Sequence, residues 1–83
     1  MSASAHENLR AMMETFIRGE DRSLSLVNKI EESLRQSFRG QPIYEELAED
    51  LATYSPGGGE FLTDEKTLTR EFHYAIDRWM RQS

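Results

Sequence analysis

The sequence predicts an all-α protein, an antiparallel four-helix bundle that forms a single helical domain over residues 1–83. Three observations predict this fold. Apolar side chains recur at the three- and four-residue spacing of amphipathic helices. Glycine or proline interrupts that spacing at three places, and no stretch shows the alternation typical of a β-strand. The connecting segments are short, so consecutive helices are expected to be antiparallel neighbours.

The first helix is predicted from a stripe of five apolar residues: Leu9, Met12, Met13, Phe16 and Ile17. Ser4 and Glu7 have the spacing of a capping box at its start. Gly19, preceded by Arg18, indicates its end, because glycine readily adopts the left-handed conformation and a cation suits the negative end of a helix.

The second helix is predicted to begin near Asp21 or Ser23, since either side chain can act as an N-cap. Gly40, preceded by Arg39, indicates where it ends. Its apolar face is formed by Val27, Ile30, Leu34 and Phe38, with Leu26 at the flank.

The third helix is predicted to open at Pro42, because proline is favoured in the first turn. The helix is predicted to end before the segment from Ser55 to Gly59, because that segment contains one proline and three glycines. Its apolar stripe consists of Ile43, Tyr44, Leu47, Leu51 and Tyr54.

The fourth helix is predicted to have Thr63 as its N-cap, with Asp64 and Glu65 at its positive end. Arg78 and Arg81 would lie at its negative end. Its apolar stripe consists of Leu68, Phe72, Ile76 and Trp79.

The composition of the chain excludes several classes of protein function. The chain has no cysteine, which excludes disulfides and thiolate metal sites and favours a reducing compartment. It has neither a signal-like apolar segment nor a run long enough to span a membrane, so a cytoplasmic protein is expected. The net charge of −5 argues against binding to nucleic acid or to anionic membranes.

The negative charge is concentrated in one part of the chain. Residues 41–65 contain seven acids and no base, whereas the rest contains eight acids and ten bases. The seven acids are Glu45, Glu46, Glu49, Asp50, Glu60, Asp64 and Glu65. A local negative surface is therefore expected.

The third helix carries four of these acids on its outer side. At about 100° per residue, its apolar residues and its acids occupy separate arcs of roughly 140° each. Glu45 with Glu49, and Glu46 with Asp50, are like charges one turn apart, which destabilise a helix slightly. A binding requirement would explain this arrangement; the alternative is a solvated face that lacks lysine.

Other motifs give weaker signals. The glycine-rich loop lacks the strand before it and the lysine after it that phosphate loops use, so a flexible connector is the better interpretation, one that lets Glu60 and Phe61 adapt to a partner. His73 and Asp77 are one turn apart, but neither a second histidine nor a cysteine completes a metal site. No catalytic arrangement or cofactor motif is found, so the sequence predicts neither an enzyme nor a cofactor.

Aromatic residues are frequent interface anchors, but the helical spacing of Tyr44, Tyr54 and Trp79 favours core packing. Tyr54 is the best candidate for a mixed role. It lies beside the acidic arc, and its ring is expected to be partly buried with the hydroxyl at the surface.

Three stretches resemble the family of colicin D immunity proteins and related bacterial colicin-like immunity proteins. The first joins residues 13–17 to 27–30, the second joins 45–47 to 52–56, and the third joins 64–65 to 68–71 and 75–78. The Gly57–Gly59 segment and the basic residues of the second helix depart from the family pattern.

The resemblance implies a helical bundle whose acidic side chains cover the basic, tRNA-binding active site of a nuclease toxin. It agrees with the charge pattern in predicting an inhibitor that binds a basic protein. The alternative is a small regulatory or scaffold module, either monomeric or homodimeric. The predicted partner-binding residues are Glu45, Glu46, Glu49, Asp50, Tyr54, Glu60, Asp64 and Glu65.

Overall fold

The computed structural model describes residues 5–60 and 62–80 and confirms the all-α four-helix fold. The helices are α1 (Ala5–Ile17), α2 (Leu24–Ser37), α3 (Pro42–Thr53) and α4 (Glu65–Trp79). Each helix packs against the next, and α4 packs against α1, which closes the ring. Helix α1 is therefore diagonal to α3, and α2 is diagonal to α4. Ser4, Phe61 and Arg81 lie outside the described residues.

The four predicted apolar stripes converge on one core. The residues at the ends and edges of the stripes, such as Met12, Tyr44 and Trp79, are only partly buried against it. Each large side chain removed from water contributes about 1.5–3 kcal/mol, so the core is the main source of stability. Its largest fully buried side chains are Leu9, Met13, Phe16, Val27, Ile30, Leu34, Leu47, Leu68, Phe72 and Met80.

Phe16 lies where three helices meet. Its ring is 5.5 Å from the ring of Tyr54 and 5.2 Å from that of Phe72, in edge-to-face geometry both times. The guanidinium of Arg22 lies 5.7 Å from the centre of the Phe16 ring. Edge-to-face pairs contribute about 0.5–1.5 kcal/mol beyond area burial, so this junction fixes the end of α3 against α1 and α4.

The end of α1 is closed by a Schellman motif, as the position of Gly19 predicts. Gly19 has a φ of +79°, and its N–H donates to the carbonyl of Phe16, while the N–H of Glu20 donates to Thr15. Arg18, expected to serve this helix end, instead pairs with Glu20.

Arg22 takes the capping role that the sequence assigns to Arg18. Its Nε donates to the carbonyl of Phe16 over 2.8 Å, and its second terminal nitrogen donates to that of Ile17 over 2.9 Å. Ser23, the next residue, is the N-cap of α2 and accepts from the N–H of Leu26. Asp21, the other predicted cap, accepts from the N–H of Ser23 and so orders the turn before the helix.

The start of α4 differs from the prediction by one residue. Asp64, not Thr63, is the N-cap, and its carboxylate accepts from the N–H of Thr67 over 2.9 Å. Thr63 is unavailable because it pairs with the end of α3. Its N–H donates to the carbonyl of Thr53, and its carbonyl accepts from the N–H of Ser55. This isolated parallel bridge between Tyr54 and Thr63 is reinforced by a 2.8 Å contact between the hydroxyls of Thr53 and Thr63.

The end of α4 is held from another helix. Arg10 of α1 donates from its guanidinium to the carbonyl of Met80, the C-cap residue, over 3.2 Å. Arg10 also pairs with Glu14 one turn along α1. Arg78 lies in the last turn of α4, as predicted, and its guanidinium contacts Tyr74 and Trp79. The side chain that donates to the C-cap carbonyl comes from α1.

Replacing Tyr54 with phenylalanine tests the junction. The Tyr54 hydroxyl donates to the carbonyl of Arg22 over 2.6 Å, and its loss is expected to lower the free energy of unfolding by about 1 kcal/mol. Tyr74→Phe is the control, because Tyr74 is exposed and its loss should change stability very little. Urea denaturation measures both. Equal stability of Y54F and the wild type would show that this hydrogen bond does not secure the junction.

Candidate functional site

The outer face of α3 is the candidate site, and its carboxylates define it. Glu45, Glu46 and Glu49 are exposed, and Asp50 is half-buried. Ile43, Leu47 and Leu51 on the opposite side of the same helix are buried, which forces the four acids outward. The name acidic face is used below for Glu45, Glu46, Glu49 and Asp50.

The acidic face has no basic partner within residues 5–60 and 62–80. The two ion pairs formed there join Arg10 to Glu14 and Arg18 to Glu20, both outside α3. Helix α3 also has no basic residue in its last turn, where a cation would be favourable. The carboxylates are therefore left to repel one another.

The pKa of Asp50 reflects both burial and this repulsion. Partial burial raises the pKa of its carboxyl, and the neighbouring charges of Glu49 and Glu46 raise it further. On the helix, Asp50 is the acid nearest the buried stripe, which explains its loss of solvent. Glu46, Glu49 and Asp50 thus act on one another as a single negative cluster, with Glu45 one turn before Glu49.

Asp64 and Glu65 lie in a different setting from the acidic face. Besides capping α4, Asp64 lies in an open cleft lined also by Glu65, Arg22 and Lys66. Hydrogen bonding to Thr67 lowers the pKa of Asp64. Glu65 accepts from the N–H of Gly57 over 3.0 Å and so ties the glycine loop to α4. These two carboxylates stabilise the start of the helix and are accompanied by cations.

Tyr54 is a core residue, and the expectation of a surface hydroxyl is wrong. Only 5% of the residue is exposed, and its hydroxyl is bonded to the carbonyl of Arg22. Burial raises the pKa of Tyr54, as does the nearby charge of Glu65. Its contribution to the candidate site is to anchor the end of α3.

The connector places Glu60 at the surface, where it is exposed. The loop before it is closed by hydrogen bonds, since the N–H of Gly58 donates to Ser55 over 2.8 Å. Gly58 has a φ of +75°, and a Cβ there would lie 3.0 Å from the Cβ of Asp64, so the loop needs glycine to pass the N-cap. Phe61, predicted to adapt to a partner together with Glu60, lies outside the described residues.

The structure also bears on the possible metal site at His73 and Asp77. His73 is exposed on α4. Within the described part of the chain, no group of three or more histidine, aspartate or glutamate side chains is arranged to hold a metal ion. None of the helices over the same residues is long and apolar enough to cross a membrane.

A second cluster was not singled out from the sequence. Arg78 donates to the hydroxyl of Tyr74 over 2.9 Å, and its guanidinium lies 5.8 Å from the centre of the Tyr74 ring and 5.2 Å from that of Trp79. Tyr74 is 48% exposed. The spacing of Tyr74 and Arg78, one helical turn apart and off the apolar stripe, is the signal that points to it.

We compared the chain with known proteins. The chain matches no protein-family model, no curated protein and no solved structure. The class that the fold and the site define is a small helical bundle in which the acidic face on α3 forms no ion pair with any other described residue.

Removing the Asp50 charge should stabilise the fold. Because the pKa of Asp50 is raised in the folded state, the fold is most stable with Asp50 protonated and loses stability as the pH rises through that pKa. Asp50→Asn is therefore expected to raise the melting temperature at pH 7 and to have little effect at a pH below the usual aspartate range. Glu32→Gln on α2 is the control, and a D50N protein that melts lower than wild type at pH 7 would contradict the repulsion.

Asp64 should show the opposite pH dependence. Its lowered pKa means that its contribution is present above the ordinary aspartate pKa and is lost as the pH falls through the folded-state pKa. Asp64→Ala should lower the melting temperature at neutral pH, and the difference from wild type should shrink in acid. Asp64→Asn keeps an acceptor oxygen and should lose less. A constant difference at all pH values would exclude a charge-dependent cap.

Proposed function

We propose that this protein is a non-enzymatic, cytoplasmic inhibitor that binds a basic protein partner through its acidic face, in the manner of an immunity protein that neutralises a tRNA-cleaving nuclease toxin. The observation that carries the proposal is the set of four outward carboxylates, none of which forms an ion pair with a basic residue in the described part of the chain. The resemblance to the colicin D immunity family supplies the class of partner.

The energetics favour a binding role for this surface. Like charges one turn apart destabilise a helix by about 0.2–0.5 kcal/mol per pair, and the raised pKa of Asp50 indicates that this repulsion persists in the folded protein. A basic partner would remove the repulsion and so bind more favourably. Such a face also accelerates encounter with a positive cleft by long-range attraction.

The proposed contacts with the partner are the residues of the acidic face. All four residues lie on helix α3, so the backbone that carries them is already ordered before binding. Association therefore costs little backbone conformational entropy at this face. Glu60 remains a proposed contact at the exposed connector. Tyr54, Asp64 and Glu65 are proposed to act indirectly, by holding the end of α3 and the start of α4.

The alternative, a homodimeric scaffold module, needs an apolar face left for a second copy. The four stripes instead meet in the core. In the described ranges the large hydrophobic side chains that are nearly half exposed are Leu24, Leu62 and Tyr74, on three different elements. No observation favours this alternative, and sedimentation equilibrium would distinguish it through a mass that rises with concentration.

Charge reversal on α3 tests the proposal. Glu46→Lys combined with Asp50→Lys should slow association with the partner by about tenfold or more at low salt, because steering by charge is reversed. The helices should remain folded, since both side chains lie outside the core. Glu31→Lys combined with Glu32→Lys is the matched control: it changes net charge equally, and Glu32 borders the α1–α2 groove instead of α3.

The partner for this measurement is obtained by capture. Extract of the cells that produce the protein is passed at low ionic strength over immobilised wild type, the α3 variant and the α2 control, and the retained protein is assayed on tRNA. A basic nuclease retained by wild type and control, whose cleavage of tRNA stops when the chain is added, is the expected result. A retained partner that is not basic, or that binds all three chains equally, would contradict the proposal.

A further inference from the structure

The two edges of α4 face different neighbouring helices. His73 and Ile76 line a groove together with residues of α1, so the edge of α4 that carries them faces α1. At about 100° per residue, Glu71 and Arg78 lie on the opposite edge, with the buried residues of α4 in between. Helix α4 packs against both α1 and α3. The edge that carries Glu71 and Arg78 therefore faces α3.

The acidic face borders the same side of the bundle. Asp50 and Glu46 precede Thr53 by three and seven residues, a spacing that places all three on one side of α3. The hydroxyl of Thr53 lies 2.8 Å from that of Thr63, the residue before the N-cap of α4. Glu46 and Asp50 therefore lie at the boundary between α3 and α4, and the other two acids of the acidic face lie further outward.

Tyr74, Arg78 and Trp79 form a cluster on the α3-facing edge of α4, called the aromatic cluster below. The rings of Tyr74 and Trp79 meet edge to face at 6.1 Å. Arg78 donates to the Tyr74 hydroxyl, and its guanidinium lies over both rings. Tyr74 is nearly half exposed, and Trp79 is partly buried against the core. Side chains held in this way lose less conformational freedom when a partner covers them.

The aromatic cluster lies close to the acidic face. The N–H of Thr63 donates to the carbonyl of Thr53, which places the end of α3 level with the start of α4. Counted from there at about 1.5 Å per residue along the antiparallel helices, Glu46 is level with Glu71, and Tyr74 lies about 5 Å further along. Adjacent helix axes are about 8–10 Å apart. Both surfaces therefore fit within one interface of standard size, which covers about 800 Å² on each partner.

We propose that the aromatic cluster is the apolar anchor of the acidic face, so that the basic partner contacts this chain through an apolar side chain flanked by lysine or arginine. This inference rests on the proposed function and adds to it which side of α3 the partner covers. Tyrosine, tryptophan and arginine are enriched among interface anchors. Charged contacts accelerate encounter, whereas desolvated contacts slow dissociation. The acidic face and the aromatic cluster supply one kind of contact each.

The charge around the aromatic cluster selects a basic partner. Arg78 is the cation on the α3-facing edge of α4, whereas Lys66 and Arg70 lie toward its outer and α1-facing sides. Glu71 on the same edge and the four carboxylates of the acidic face outweigh the charge of Arg78. A partner that covers the rings therefore meets a surface that is negative on balance, which favours cations beside its apolar side chain.

The test uses two fluorescein-labelled lysine-rich peptides of equal charge, one with leucine and the other with serine at the intervening positions. The full-length protein should raise the anisotropy of both saturably at low salt, and the leucine peptide should bind about tenfold more tightly. This ratio should persist as salt weakens both peptides, because salt screens charge and not apolar contact. Equal affinities would overturn the aromatic anchor and leave the acidic face standing. Absence of binding by both would overturn the acidic face, and the proposed function with it.

Variants on α4 locate the anchor. Tyr74→Ala should remove most of the advantage of the leucine peptide, whereas Tyr74→Phe, which keeps the ring, should retain it. His73→Ala is the matched control, because His73 is an exposed ring one residue away on the α1-facing edge. Equal losses in H73A and Y74A would show that the leucine contact lies elsewhere and would overturn the assignment.

Trp79 gives an independent reading of the same surface. It is the only tryptophan in the chain, so incorporation of 5-fluorotryptophan yields a single fluorine NMR signal from the aromatic cluster. The leucine peptide should shift this signal more than the serine peptide does. A signal that shifts on concentrating the protein alone, with a rising sedimentation mass, would assign the cluster to a second copy and overturn the proposal. The Glu46→Lys and Asp50→Lys variant should weaken both peptides alike, which tests the acidic face separately.

Discussion

The packing of Tyr54 against Phe16 is the constraint on which the rest of the architecture depends. Phe16 brings α1 into contact with the end of α3 and with α4, and Arg22 covers its ring while closing the end of α1. Because the Tyr54 hydroxyl bonds to the backbone of Arg22, the turn before α2 is fixed by the same contact. One aromatic junction thus sets the positions of all four helices at this end of the bundle.

The orientation of α3 follows from that junction. With Tyr54 locked at its end and three aliphatic residues buried along one side, the helix cannot rotate to bring its acids toward the arginines of its neighbours. The acidic face therefore forms no ion pair within residues 5–60 and 62–80, and the repulsion among its carboxylates lowers the stability of the fold.

The periodicity of the sequence was sufficient to predict the fold, but it could not predict the long-range polar contacts. Helix number, helix ends at Gly19 and Pro42, and the outward direction of the acids all follow from spacing, which is local information. The roles of Arg22 and Arg10 do not, because the carbonyl that each one binds is distant in the sequence or lies outside its own helical turn. The prediction of Thr63 as the N-cap is wrong for the same reason: its N–H donates to the carbonyl of Thr53, ten residues earlier.

The bridge between Tyr54 and Thr63 separates the tip of the connector from the helices that it joins. Hydrogen bonds across the base of the loop already hold the end of α3 beside the start of α4. The positions of both helix ends are therefore set at the base of the loop, and the proposed partner contact at Glu60 can adjust at the tip without shifting either helix.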